Sequence, residues 1–325
     1  MATELTEYLL LLPLLVVPLL YLAASSSRRS GRLRLPPGPW ALPVIGHLHH
    51  LALAGAPTHR AMRDMARRHG PLMLLRFCEL PVVVASSPDA AREIMRTHDV
   101  AFASRPIGPM LRLVFQGAEG VIFAPYGDGW RQLRKICTVE LLSHRRVHSF
   151  RPVRADELGR LLRAVADQAA SSSSSPVNLT GMISAFVADS TCGGACKVFG
   201  YDVPAGTMVL VNAWAIGRDA AAWGAAAEEF SPERFERCER DFRGADFELI
   251  PFGAGRRMCP GMAFGLVHVE LALAALLFHF DWSLPGGMAA DELDMAESSG
   301  LTTRRRLPLL VVARPHAALP TKYCN

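Results

Sequence analysis

Phe252-Gly253-Ala254-Gly255-Arg256-Arg257-Met258-Cys259-Pro260-Gly261 is the stretch that decides how this 325-residue chain is read. It spaces an aromatic ring, two glycines, an arginine and a cysteine as Phe-x-x-Gly-x-Arg-x-Cys-x-Gly. An apolar run with helical spacing, Met262 to Phe280, follows at once, so Cys259 falls at a helix N-terminus. The positive end of the helix dipole there suits a sulfur that binds a metal as an anion. Gly255 and Gly261 allow the backbone to turn sharply and to approach a ring ligand closely. Arg257 can pair with a carboxylate of such a ligand, and Phe252 can shield the sulfur from water. Backbone N–H groups aimed at the sulfur would tune a bound metal. The plain alternative is an inert thiol packed as a small hydrophobe. Five further matching positions around Cys259 weigh against it.

This segment resembles the haem-binding loop of the cytochrome P-450 superfamily, and most of the chain resembles its plant microsomal branch. The resemblance implies haem (heme, iron protoporphyrin IX) as cofactor, with Cys259 as the axial ligand to the iron, a thiolate that favours O–O cleavage. It implies a mainly α fold with a small β region. A second helix carries Trp130-Arg131-Gln132-Leu133-Arg134-Lys135. Trp130 and Arg134 stand four apart, hence on one helical face. Alone, the pair reads as a packed indole beside a solvated guanidinium. Beside the Cys259 loop, the indole N–H and the guanidinium read as donors to the haem propionates. The expected cofactor-binding set is therefore Trp130, Arg134, Phe252, Gly255, Arg257, Cys259 and Gly261.

Upstream, Tyr8 to Ala24 is apolar over seventeen residues, just long enough to span a bilayer as a helix despite Pro13 and Pro18. Glu4 and Glu7 precede it, while Arg28, Arg29, Arg32 and Arg34 follow. That asymmetry predicts an uncleaved anchor with its basic flank in the cytosol rather than a cleaved signal peptide. Residues 1–34 are thus read as anchor and flank, and the resemblance places them in the endoplasmic reticulum membrane. Leu35-Pro36-Pro37-Gly38-Pro39-Trp40 is denied helix by its prolines and reads as an extended spacer. His47-Leu48-His49-His50 has no compact zinc spacing and is read as an entry loop. An amphipathic helix over 58–70, a hairpin of Leu72–Phe77 with Val82–Ser86, and a helix from Pro88 to about Thr97 come next. Another helix follows Arg151. Ser171–Ser175 reads as a flexible linker, and Pro176 opens a helical segment through about Thr191.

The resemblance then breaks. A long central region of the family should follow, with the distal Ala/Gly-Gly-x-Asp/Glu-Thr helix and the Glu-x-x-Arg helix. The chain runs instead through Thr191-Cys192-Gly193-Gly194-Ala195-Cys196-Lys197 into Val198-Phe199-Gly200-Tyr201, a segment that in the family lies well beyond the Glu-x-x-Arg helix. An internal deletion joined near residues 192–196 is expected. It leaves 35–192 and 193–325 as two parts of one domain. Glu93-Ile94-Met95-Arg96 and Glu157-Leu158-Gly159-Arg160 match Glu-x-x-Arg by letter, but read as chance i,i+3 pairs on solvated faces. Ala188-Asp189-Ser190-Thr191 lies too early and lacks the glycine. No catalytic residue beyond the iron ligand is therefore assigned. Downstream the match resumes, with a β-prone run from Tyr201 to Ile216, Phe230-Ser231-Pro232-Glu233-Arg234-Phe235, and a terminal hairpin from Ser298 to Val312. Arg234 loses the partners that the family's missing helix would provide, so it must turn to solvent or recruit another acid.

Half of the residues are hydrophobic, enough for a substantial core, and the net charge is a modest +5. No basic run is interleaved with aromatics, which argues against nucleic acid. Seven cysteines on a cytosol-facing chain should be reduced, and Cys192 with Cys196 lacks a second ligand pair for zinc. Arg131, Lys135 and Arg256 would form a basic patch suited to an acidic electron donor, which the resemblance names as NADPH–cytochrome P-450 reductase. The implied reaction inserts one atom of O2 into a small apolar substrate. Three readings stay open: a haem-thiolate monooxygenase with an incomplete sequence, a non-enzymatic membrane-anchored haem-binding remnant, and an inactive fragment.

Overall fold

The computed structural model describes residues 33–107, 120–171, 177–178, 185–186, 188–191, 196–298 and 302–316. The expected anchor at 8–24 lies outside them, as do 108–115 and the tip of the terminal hairpin. In chain order come helix α1 (Thr58–His69), strands β1 (Leu72–Phe77) and β2 (Leu80–Ala85), and helices α2 (Pro88–Arg92), α3 (Asp128–Ile136), α4 (His144–Ser149) and α5 (Arg151–Ser171). Strands β3 (Val177–Asn178), β4 (Ala185–Phe186), β5 (Ala188–Thr191), β6 (Cys196–Val198), β7 (Tyr201–Val203) and β8 (Met208–Val211) follow. Helix α6 (Met262–His279) then precedes β9 (Phe280–Ser283), β10 (Glu297–Ser298), β11 (Thr302–Arg305) and β12 (Leu310–Pro315). The result mixes a few long helices with several small sheets. Two compact units interleave along the sequence, Met1–Pro106 with Ala188–Pro232 and Ile107–Val187 with Glu233–Asn325.

In the first unit, alternation along β1 and β2 sends Met73, Leu75, Val82 and Val84 to one face. Met62, Met65 and Ala66, spaced for one face of α1, pack against them. The sheet order is β1-β2-β8-β5, with β2 and β8 parallel and the other pairs antiparallel. Ser87 caps α2 by accepting from the Ala90 amide, and the chain continues as a π-turn through Thr97, so the helix expected over 88–97 is present.

Several expectations need correction. The segment expected to be helical from 176 to 191 instead carries β3, β4 and β5. The reason for β5 is tertiary: β8 offers an open edge of backbone donors and acceptors, and the residues just before the join lie close enough in sequence to fill it, pairing Ala188 with Val211. The β-prone run from Tyr201 ends at Val211, because the Asn212 side chain accepts from the Ala215 amide and starts a short helix, Ala213–Ile216. Glu93 is no solvated partner of Arg96, since its carboxylate accepts the Phe199 amide at 2.8 Å.

The proline-rich stretch is extended as predicted, but it docks rather than hanging free. The Pro37 carbonyl accepts the Leu74 amide at 2.8 Å, and a Cβ on Gly38 would stand 2.1 Å from the Leu74 carbonyl oxygen. His47 braces the same region from inside: its Nδ1 accepts the Arg76 amide at 2.7 Å, so its Nε2 carries the proton and donates to the Pro39 carbonyl at 2.9 Å. Burial pushes the His47 pKa down. His49 and His50 bond the Gly46 and Trp40 carbonyls, and among the described residues no cluster suits a metal ion.

In the second unit, Leu158, Leu162 and Val165 of α5 form a core with Leu276 of α6, Phe280, Val311 and Ala313. Strand β12 pairs with β9 and β3, while β10 pairs with β11. The expected terminal hairpin is therefore β10–β11, and β12 leaves it for other partners. Glu157 and Arg160 do form an exposed i,i+3 ion pair at 2.8 Å, as the sequence suggested. Arg234 is half-buried and retains interaction partners. Helix α6 is the one described helix long and apolar enough to cross a membrane, by length and composition only. One face of it packs on α5 and β9, and the other leaves Val269, Leu273, Leu277 and Phe278 open, the last 67% exposed.

Candidate functional site

The loop 252–261 lies in the second unit, immediately before α6. Gly255 sits at φ +65°, the left-handed region that a side chain resists, so a glycine is needed there for the turn. Gly261 does not share that need: it is the N-cap of α6 at φ −89°, and a Cβ there would meet Cys259 Sγ at an ordinary 3.8 Å. The Cys259 amide donates to the Phe252 carbonyl at 2.9 Å and closes the loop. Phe252 is half-buried and near Phe242 (ring centroids 6.3 Å apart), yet Cys259 remains exposed and free. The phenyl ring alone therefore does not cover the sulfur.

The two arginines and the tryptophan picked out by sequence meet beside this loop. Trp130 on α3 is buried and donates its indole N–H to the Val121 carbonyl at 2.9 Å. Arg257 lies over its ring and donates to the carbonyls of Ala124 (2.6 Å) and Val121 (3.4 Å). Arg134 lies over the same ring, with 5.5 Å between guanidinium carbon and ring centroid, and donates to the Met258 carbonyl at 2.7 Å. Burial pulls the pKa of Arg134 down, and the neighbouring sulfurs of Cys259 and Cys137 partly offset this. Sequence reasoning missed the acceptors: the carbonyls of Val121, Ala124 and Met258, and the Tyr126 hydroxyl, which Arg256 reaches at 3.0 Å. Backbone acceptors carry no sequence signal. Tyr126, with its ring 5.5 Å from that of Trp130, lies before the start of α3, so helical spacing does not reveal it as a partner either.

This donor set fits haem on the side it presents. A half-buried guanidinium holding only a neutral carbonyl would gain from a carboxylate acceptor, because charge-assisted hydrogen bonds are roughly twice as strong. The thiol of Cys259 in the same loop is exposed and free, and as a thiolate has the chemistry of a soft metal ligand.

The comparisons agree with this chemistry. The cytochrome P-450 family model matches residues 36–195 and again 194–310, and the chain belongs to this family. It is 30% identical to desmethyl-deoxy-podophyllotoxin synthase of Sinopodophyllum hexandrum over 489 residues, covering 92% of this chain and 95% of that one. Premnaspirodiene oxygenase of Hyoscyamus muticus is 29% identical over 474 residues, covering 87% and 93%. Dolabradiene monooxygenase of Zea mays is 28% identical over 470 residues, covering 86% and 92%. An alignment of 489 positions that takes in 92% of a 325-residue chain leaves well over a hundred positions of the relative facing no residue here. The two matched segments meet at 194–195, so the chain fits a family member with an internal deletion at the join read from sequence. The family is one of oxidoreductases that bind haem iron and act on small molecules with a redox partner.

Proposed function

We propose that this chain is a haem-thiolate protein of the monooxygenase class in which the thiolate-bearing side of the site is intact and the substrate-covering side is lost. The observation that carries this reading is the convergence of Cys259, Arg134, Arg257 and Trp130 on one edge of α3 and the loop before α6. Cys259 would supply the thiolate ligand to the iron. Arg134, Arg257 and Trp130 would hold the propionates by giving up carbonyl acceptors for carboxylates. Phe252 packs beside the loop, and Gly255 supplies its turn. Haem, when bound, supplies the O2-activating chemistry that defines the family. Arg131, Lys135 and Arg256, all exposed, present positive charge to an acidic donor, for which the family's NADPH-dependent reductase is the candidate.

The sequence lacks the family's distal acid–alcohol motif, and Cys259 stands exposed, so solvent reaches the sulfur. Proton delivery then falls to solvent, and a wet site favours release of reduced oxygen over insertion into a small apolar substrate. This favours a weakly active or non-catalytic haem protein over an efficient monooxygenase. Residues 35–192 and 193–325 are the two parts of the family domain, and residues 8–24 anchor it to the endoplasmic reticulum membrane with the globular part in the cytosol.

The test is the spectrum of the full chain expressed with haem, reduced and exposed to carbon monoxide. A strongly red-shifted Soret band, lost in Cys259→Ser, supports the reading. An unshifted band, or no haem at all, overturns it. With reductase, NADPH and O2, the haem-loaded chain should oxidise NADPH to NADP+ and pass the two electrons mainly to O2, giving hydrogen peroxide.

A further inference from the structure

The Met258–Cys259 peptide is gripped from both ends. Its carbonyl accepts from Arg134 Nη2 at 2.7 Å, and its N–H donates to the Phe252 carbonyl at 2.9 Å. A peptide group is planar, so fixing both ends fixes the plane. That plane fixes the positions of Cys259 N and Cα, the base from which φ and χ1 carry the sulfur. The Phe252 bond is internal to the loop and travels with it. The Arg134 bond is the one that ties the peptide to α3, where the guanidinium is seated over a buried Trp130 that is itself anchored to Val121.

We propose that Arg134 is a positioning residue that latches the Cys259 loop in the haem-free chain, and that the latch opens when a ligand carboxylate replaces the Met258 carbonyl on its guanidinium. The opening step rests on the haem reading above; the latch does not. Arg134 is half-buried with a neutral acceptor, so a carboxylate is the stronger partner and the exchange runs towards the ligand. The loop is thus aimed before the cofactor arrives, and the group that aims it becomes a group that holds the ligand.

Amide hydrogen exchange on the full haem-free chain tests the latch. Arg134→Met removes the donors while keeping an apolar stem, and should speed exchange at the Cys259 amide about tenfold, the scale of one lost hydrogen bond. Amides of β1, β2 and α5 should keep their protection. Unchanged exchange at Cys259 overturns the latch. If the Met variant loses protection throughout, Arg134→Lys decides the case. A local, intermediate acceleration there supports the latch, and none overturns it.

Opening is read with metal-free protoporphyrin IX and its dimethyl ester, neither of which can form an iron–sulfur bond. The wild type should bind the diacid more than tenfold more tightly than the ester, and Arg134→Met should cut that preference about tenfold, one hydrogen bond's worth, while Arg257 and Trp130 keep the remainder. A Met variant that keeps the full wild-type preference overturns the opening step. A wild type with an intact latch but no preference for the diacid overturns the haem reading and the opening step, and leaves the latch standing.

Discussion

The guanidinium carbon of Arg257 lies 4.2 Å from the centre of the Trp130 ring, and both side chains donate to the same Val121 carbonyl. A cation desolvated on an indole face contributes more than an exposed one, about 2 kcal/mol. Trp130 is also one of the few large side chains buried in this part of the second unit, at 4% exposure.

Trp130→Leu should therefore destabilise the chain by about 3 kcal/mol, through lost volume and a lost seat for two guanidiniums. Trp130→Phe keeps a ring face and gives up only the N–H, at about 1 kcal/mol. Urea unfolding of both variants checks the order. Equal losses would show that the ring face contributes nothing beyond the hydrogen bond.

Two glycines of the Cys259 loop should separate under substitution. Gly255→Ala forces a side chain into φ +65° and should cost about 1–2 kcal/mol. Gly261→Ala, at φ −89° with ordinary contact to the sulfur, should cost less than about 1 kcal/mol in the haem-free chain. Thermal unfolding of the two variants side by side measures the difference.

His47 predicts a pH dependence. Its Nδ1 must stay unprotonated to accept the Arg76 amide, and burial lowers its pKa below the ordinary 6.5. The folded state then binds fewer protons than the unfolded state, so this contribution is complete above pH 6.5 and is lost as the pH falls below it. His47→Gln should flatten the stability–pH curve between 6.5 and the lower folded-state pKa. A variant curve parallel to the wild type across that window would remove His47 as the cause.

The open face of α6 should tolerate charge. Leu277 and Phe278 are 62% and 67% exposed, so Leu277→Lys and Phe278→Lys should each change stability by less than about 0.5 kcal/mol. Both should lower self-association, because they break an exposed apolar patch. Light scattering against concentration, beside urea unfolding, reads the two effects. A loss of several kcal/mol would mean that this face is covered in solution.

What the sequence determined by itself was local. The apolar run after Cys259 became α6, the spacing of Met62, Met65 and Ala66 became the buried face of α1, and the β-prone runs at 72–77 and 82–86 became the hairpin of β1 and β2. The Cys259 motif, its glycine turn at Gly255 and the join near 192–196 were also legible, since each depends on residue identity within a few positions. The tertiary structure alone decided the rest. Ala188–Thr191 became a strand because β8 offered it an open edge, and Glu93 turned to the Phe199 amide rather than to Arg96. The Pro37–Gly38 segment docked on β1 because the Leu74 amide needed an acceptor. Trp130, Arg134 and Arg257 were foreseen as donors, but their present acceptors are backbone carbonyls, which every residue has and no sequence distinguishes. A donor's chemistry is written in its side chain, whereas its partner is fixed only when distant stretches of backbone are brought within 3 Å of it.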